Sequence, residues 1–143
     1  GASPGSTGGG VKTTTFGVIL YSVIATIKNK RNVELENRSI PWEVINRAFS
    51  ILIISLTYIT IVSGAIILFE EREIVPVLFE VISAFATVGL SLGITSSLTV
   101  FSKLLIIVTM FIGRVGPLTV VLALSEESVV AKYKYPEENI MVG

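Results

Sequence analysis

Cysteine and histidine are both absent from the 143 residues of the chain. Their absence excludes disulfide frameworks, metal sites built from those side chains, thiol nucleophiles and Ser-His catalysis. Charge is also scarce, because only 15% of the residues are charged and the 11 basic and 11 acidic side chains cancel. Such a chain has no one-sided basic stripe for nucleic acid. We therefore expect neither an enzyme nor a nucleic-acid partner.

Apolar residues make up 51% of the chain. A soluble domain usually has roughly a quarter of its residues charged, so the bilayer is the expected solvent. Residues 48–69 carry no charge and match the roughly 20 residues that cross a hydrocarbon core. Residues 104–124 form a second run of similar length, with Arg114 at its middle. The sequence predicts an all-α membrane protein in which both runs are transmembrane helices; a buried helix of a soluble protein is the alternative.

The apolar stretch between these runs is too short to span. Ile74–Phe85 gives about three helical turns, roughly 18 Å at about 1.5 Å per residue. The following Ala-Thr-Val-Gly-Leu-Ser, residues 86–91, would return as extended chain. Non-helical backbone at membrane depth is tolerated only where protein buries it or where it lines a wet cavity. The pattern predicts a helix / re-entrant pore loop / helix unit.

Four residues of this loop are candidate ion ligands through their backbone carbonyls: Thr87, Val88, Gly89 and Leu90. Extended chain can direct successive carbonyls at one axis, where they replace the hydration oxygens of a cation, and glycine adopts conformations that other residues resist. The short helix would also direct its negative dipole end at the cation. An inert re-entrant turn is the alternative.

Arg114 is the second candidate site. A guanidinium at the bilayer centre costs about 2.5–3.5 kcal/mol on insertion scales, so it should face a wet cavity or acceptors on neighbouring segments. A structural ion pair or carbonyl clamp is the alternative. Gly113, Gly116 and Pro117 nearby permit close packing or a bend.

The start of the chain is rich in glycine, serine and threonine over residues 1–10 and continues into a helix-forming stretch, residues 11–27. The chain lacks an initiator methionine and a signal segment there, and we expect it to be a fragment. A phosphate-binding loop is disfavoured, because Val11 separates the last glycine from Lys12. Such a run would instead break a membrane helix where it lines a cavity.

Basic residues set the expected orientation. Those before the first span and in the tail outnumber those in the intervening loop, so both ends are expected in the cytoplasm. The residues counted are Lys12, Lys28, Lys30, Arg31, Arg38 and Arg47 before the span, Lys132 and Lys134 in the tail, and Arg72 and Lys103 in the loop. Trp42 beside Pro41 favours an interfacial helix that leads into the first span.

Three segments, GASPGSTGGGVKTTTF, SAFATVGLSLGI and FIGRVGPLTVVLALS, together resemble the membrane subunit of Ktr-type bacterial potassium transporters of the Trk/Ktr/HKT superfamily. The resemblance covers the chain in the right order. It implies four repeats of helix, pore loop and helix around one pore, with residues 48–124 as the fourth repeat and Gly89 as its filter glycine. Residues 1–27 would be a gate loop and the second half of a broken third-repeat helix, residues 28–47 a cytoplasmic connector and interfacial helix, and residues 125–143 a cytoplasmic tail.

The resemblance also implies a gate and partners. The gate residues would be Gly5, Ser6, Thr7, Gly8, Gly9, Gly10 and Arg114. Potassium would be the transported ion, sodium a second candidate, and no nucleotide would bind this chain. The partners would be the other three repeats, a second copy in the plasma membrane, and a cytoplasmic ring of nucleotide-binding regulatory subunits. The alternatives are a two-helix potassium channel subunit that tetramerises and a membrane module without a transport role.

Overall fold

The computed structural model describes residues 3, 5, 8–28, 34–35, 38–117 and 119–120. Helices dominate this part of the chain, which agrees with the predicted all-α class. In chain order the elements are α1 (Thr13–Ile27), β1 (Glu34–Leu35), β2 (Arg38–Ser39), α2 (Trp42–Glu70), α3 (Ile74–Phe85), a 3₁₀ turn (Thr95–Ser97) and α4 (Val100–Val115). The predicted tail, residues 125–143, lies outside the described residues.

The first predicted span is part of a longer helix. The 29 residues of α2 rise about 43 Å at about 1.5 Å per residue, which exceeds the roughly 30 Å hydrocarbon core. The segment that was expected to form an interfacial helix is continuous with the span, because α2 contains no proline after Pro41. Only 22% of its most apolar window is buried, so α2 does not have the burial of a soluble core helix. Its length and composition suffice to cross a membrane.

The short helix α3 has the bounds that the sequence predicts. Pro76 lies in its first turn, where a missing N–H costs no helical hydrogen bond. The buried face of α3 packs against both α2 and α4. The core between these three helices consists of Val62, Ile66, Val77, Val81, Ala84, Leu98 and Ile106.

The second predicted span, residues 104–124, begins earlier in the structure and is interrupted at Gly116. Its helix α4 begins at Val100, because Thr99 caps it by accepting the Ser102 N–H at 3.4 Å. Glu70 at the end of α2 fixes this cap, since its carboxylate accepts the N–H and the hydroxyl of Thr99 at 2.7 and 2.6 Å. Helix α4 is interrupted after Val115 by Gly116, whose φ is 101°, and helical conformation resumes at Pro117 and at residues 119–120. Residues 121–124 lie outside the described residues.

The interruption of the helix at Gly116 lies two residues after Arg114. The side chain lies in the last turn of α4, not at the middle of an unbroken helix. The cause is the Gly116-Pro117 pair, since glycine takes the positive φ and proline cannot donate a helical hydrogen bond. A cation in the last turn also interacts favourably with the helix dipole.

Near the predicted cytoplasmic connector, α1 folds back against α2. Their contact is a small core of Ala25 and Ile45, bordered by Val18, Ile40 and Phe49. The connector contains the antiparallel pair of β1 and β2, in which Glu34 lies opposite Ser39. The sequence analysis did not predict this pair of strands.

Candidate functional site

The segment after α3 leaves the helix through two left-handed residues. Thr87 has φ of 53° and Gly89 has φ of 81°, whereas Val88 between them does not have a positive φ. Alternating φ signs turn successive carbonyls toward the same side of the chain, an arrangement suited to a cation. A non-glycine residue in this region costs roughly 1–3 kcal/mol, and β-branched threonine is among the least suited to it. The conformation of Thr87 must therefore be held by its surroundings.

Backbone and side-chain bonds from α3 hold this segment. The Val88 N–H donates to the Ser83 carbonyl at 3.0 Å. The Ser83 hydroxyl donates to the Leu90 carbonyl at 2.6 Å. The Leu90 carbonyl thus already accepts a hydrogen bond from a residue of α3. The sequence alone did not distinguish this carbonyl from those of residues 87–89. The side chains of Val88 and Leu90 are exposed.

The end of α3 contacts α4 at a glycine. A Cβ on Gly113 would lie 1.9 Å from the Phe85 carbonyl oxygen and 2.7 Å from its carbonyl carbon. Both are backbone atoms, which no side-chain rotation can move aside. Only glycine at position 113 therefore lets the two helices approach to this distance.

Pro117 leaves the Gly113 carbonyl without the N–H donor that it would have in a regular helix. In a regular helix the N–H of residue 117 would donate to the carbonyl of residue 113, but proline has no N–H. The Gly113 carbonyl instead accepts the Gly10 N–H at 2.9 Å. The helix break thus creates the acceptor that binds the glycine-rich start of the chain to α4.

Gly9, the residue before Gly10, binds Thr87 in the segment that follows α3. Its N–H donates to the Thr87 hydroxyl at 2.7 Å. A Cβ on Gly9 would lie 2.7 Å from both the Gly113 carbonyl oxygen and the Thr87 methyl group, and both Gly9 and Gly10 are buried. We name the set of Gly9, Gly10, Phe85, Thr87 and Gly113 the glycine junction. It brings the N-terminal loop, the end of α3 and the end of α4 to one point.

The glycine junction contains only part of the predicted gate. Gly8 lies beside it and its carbonyl accepts a hydrogen bond from the Lys12 ammonium, which ties the loop to the start of α1. Gly5 is exposed. Ser6 and Thr7 lie outside the described residues. Arg114 is exposed on α4, and within the described segments the loop contacts the backbone of its neighbour Gly113.

Sequence reasoning missed three residues that shape this site: Glu80, Ser83 and Phe85. The available signal was Glu80, the one acidic residue within the apolar run of α3. No local pattern marks Ser83 or Phe85, because their roles depend on contacts with distant segments.

Comparison with known proteins establishes the class of the chain. It belongs to the TrkH family of cation transport proteins, whose match covers residues 1–133. The family consists of transporters, so the expectation that the chain is not an enzyme is confirmed, as is the resemblance to Trk/Ktr-type membrane subunits. A membrane location agrees with both the family and α2.

Three relatives match the whole chain. It is 41% identical to the potassium/sodium uptake protein NtpJ of Enterococcus hirae, covering 33% of that protein. It is 39% identical to the Ktr system potassium uptake protein B of Bacillus subtilis and 37% identical to that of Vibrio alginolyticus, covering 32% and 31% of them. The chain thus spans about a third of the length of these relatives.

Proposed function

We propose that the chain forms one part of a potassium uptake pore, in which residues 87–90 line the ion path and residues 5–10 close it from beneath. The observation that carries this proposal is the bond from the Gly9 N–H to the Thr87 hydroxyl. It joins the loop directly to a residue of the candidate filter. The names of the relatives support potassium as the ion, and that of NtpJ adds sodium as a second cation.

Within this pore the four predicted ligands have unequal roles. The conformations of Thr87, Val88 and Gly89 support their carbonyls as the principal ligands. The Leu90 carbonyl already accepts the Ser83 hydroxyl, so its contribution to the ion is secondary. The negative dipole end of α3 adds a favourable potential for a cation at the same place. No residue of this chain is assigned to a nucleotide.

The surrounding architecture belongs to the same proposal. With its 12 residues, α3 is too short to cross the bilayer, which supports a re-entrant pore loop between α2 and α4. The chain then supplies the fourth of four repeats, preceded by half of the third. Both its ends face the cytoplasm, except for the loop at residues 5–10 within the membrane. Three other repeats complete the pore, and a second copy and a cytoplasmic nucleotide-binding ring are its partners.

Two alternatives fit the structure less well. A tetramerising two-helix channel subunit would not need α1 and the N-terminal loop, yet both pack against the α2–α4 unit. A membrane module without transport would not need a left-handed threonine bonded to that loop.

Uptake by the full-length transporter that contains this chain tests the proposed function. The protein is reconstituted in liposomes, and the initial rates of potassium and sodium entry are measured over a range of concentrations. We expect saturable potassium uptake with preference over sodium. Ion entry no faster than in protein-free liposomes would overturn the proposal.

The bond between loop and filter gives a prediction about gating. Thr87→Val keeps the side-chain shape but removes the acceptor of the buried Gly9 N–H, a loss that costs about 1–3 kcal/mol. The closed state should therefore be weakened, and uptake without regulatory subunits should rise several-fold. Thr87→Ser retains the hydroxyl and is the control. Equal basal rates for the valine and serine variants would contradict the coupling.

Arg114 gives a second prediction about rate. Arg114→Ala removes a cation one residue from the Gly113 carbonyl that holds the loop. We expect a changed maximal uptake rate and an unchanged potassium-over-sodium ratio, because the filter is untouched. Arg114→Lys, which keeps the charge, is the control. If the alanine variant transports like the parent, Arg114 has no role in the gate.

A further inference from the structure

Glu80 is a buried acid that the proposed pore does not yet explain. It lies in the middle of α3 and is only 5% exposed. Its neighbours on the buried face of α3 are apolar or small, among them Val77, Val81 and Ala84. Burying a carboxyl group is unfavourable unless hydrogen bonds compensate it. An aliphatic residue would pack here without this cost, so the function of Glu80 must lie in what it binds.

The partner of Glu80 is Ser91, which lies two residues past the filter glycine. The Ser91 hydroxyl donates to the Glu80 carboxylate, and Ser91 itself is exposed. The same oxygen accepts the Gly93 N–H at 2.9 Å and lies 2.9 Å from the Thr95 hydroxyl. One side-chain oxygen thus joins α3, the chain that leaves the filter, and the 3₁₀ turn.

The capacity of a hydroxyl group fixes the directions of these bonds. A serine hydroxyl has one hydrogen to donate and two lone pairs that accept. Its hydrogen goes to Glu80, so the Thr95 hydroxyl must donate to Ser91, as the Gly93 N–H does. The one hydrogen and both lone pairs of the Ser91 hydroxyl are then used in hydrogen bonds. Chains of hydrogen bonds polarise one another, so loss of the Glu80 acceptor weakens the whole set.

Ser83 adds a second attachment from the same face of α3. Residues 80 and 83 are three apart and are therefore neighbours on the helix surface. Ser83 holds the Leu90 carbonyl, and Glu80 holds the Ser91 hydroxyl. Two consecutive residues after Gly89 are thus bound to adjacent positions of one helix. This arrangement restricts both the position and the rotation of the chain that leaves Gly89.

We propose that Glu80 is a positioning residue that fixes the filter through Ser91 and thereby sets its preference for potassium over sodium. The inference rests on the proposed function, because it assigns a role within that same filter. Discrimination between two cations of the same charge depends on where the coordinating oxygens are held. Glu80 touches no ion itself; it determines the path of the strand whose carbonyls do.

The test uses the full-length transporter in liposomes, with potassium and sodium uptake measured for each variant. Ser91→Ala and Glu80→Leu, which remove the donor and the acceptor of this hydrogen bond, should each raise the KM for potassium and lower the potassium-over-sodium ratio by about fivefold, with the maximal rate within about twofold of the parent. The double variant should be no worse than either single variant, since the two residues act as one unit. Ser91→Thr retains the hydroxyl and should restore the parental KM and ratio. Glu73→Leu makes the same replacement at an exposed carboxylate just before α3 and is the matched control.

Each outcome separates this inference from the function on which it rests. If the parent shows saturable potassium uptake but Ser91→Ala and Glu80→Leu keep its KM and its ion ratio, the inference is wrong and the proposed function stands. Variants that only lower the amount of protein in the membrane would show a purely structural role and would also overturn it. If Glu80→Leu does not reach the membrane, the comparison of Ser91→Ala with Ser91→Thr decides. A parent without potassium uptake would refute the proposed function itself.

Discussion

Replacing Gly113 by alanine is expected to separate α4 from α3 and to leave little assembled transporter in the membrane. The added Cβ would lie 1.9 Å from the Phe85 carbonyl oxygen, so the backbone of one helix has to move. Overpacking usually lowers stability by about 1–3 kcal/mol. Because backbone atoms cannot rotate aside, we expect the loss for Gly113→Ala to lie at the upper end of that range or above it. A loss of this size is a large fraction of the roughly 5–15 kcal/mol that stabilises a folded protein.

The measurements for Gly113→Ala are the amount of protein in the membrane and the thermal midpoint of the solubilised transporter. Gly64→Ala is the matched control, because a Cβ at Gly64 in α2 would meet nothing within 4 Å. Alanine also has a higher helix propensity than glycine, so the control should be at least as stable as the parent. If both variants have the parental midpoint and amount, the close approach of α3 and α4 at Gly113 is wrong.

Gly89→Ser is expected to change ion selectivity more than any other substitution in the filter. Space is not the obstacle, because a Cβ at Gly89 would meet nothing within 4 Å. The obstacle is the φ of 81°, where a residue with a side chain is disfavoured by roughly 1–2 kcal/mol. Relief of this strain would rotate the peptide groups that direct the carbonyls of residues 88 and 89. Since about 1.4 kcal/mol corresponds to a tenfold change in an equilibrium, the potassium-over-sodium ratio should fall by about tenfold.

Uptake of both ions, measured side by side, checks the Gly89 prediction. Gly64→Ser adds the same group at an open position of α2 and should keep the parental ratio. A second comparison separates selectivity from gating, because Thr87→Val should raise the basal rate while Gly89→Ser changes the ion ratio. Unchanged potassium affinity and sodium discrimination in Gly89→Ser would remove residue 89 from the filter.

The sequence predicted those parts of the fold that depend on local composition. The uncharged run at residues 48–69 lies within α2, because its length and apolarity are properties of the run itself. The bounds of α3 could be predicted because polar residues precede Ile74 and the chain after Phe85 turns through Thr87 and Gly89.

The start of the second predicted span shows where local composition fails. Val100 to Lys103 looked like loop, yet Glu70 from α2 binds Thr99 and helps the helix begin there. At the other end, Gly116 and Pro117 were interpreted as a bend or a packing site. They interrupt the helix at Gly116, which agrees with a bend, and Arg114 lies in the last turn before this interruption.

What the sequence by itself determined is the kind of protein: a membrane chain without thiol or imidazole chemistry, with a short helix and a glycine-bearing turn between longer apolar helices. Tertiary structure alone decided how those pieces form a site. Gly9 and Thr87 are 78 positions apart, and no propensity or periodicity relates residues at that separation. The contact exists because three glycines let backbones approach and because Pro117 leaves the Gly113 carbonyl without its helical donor.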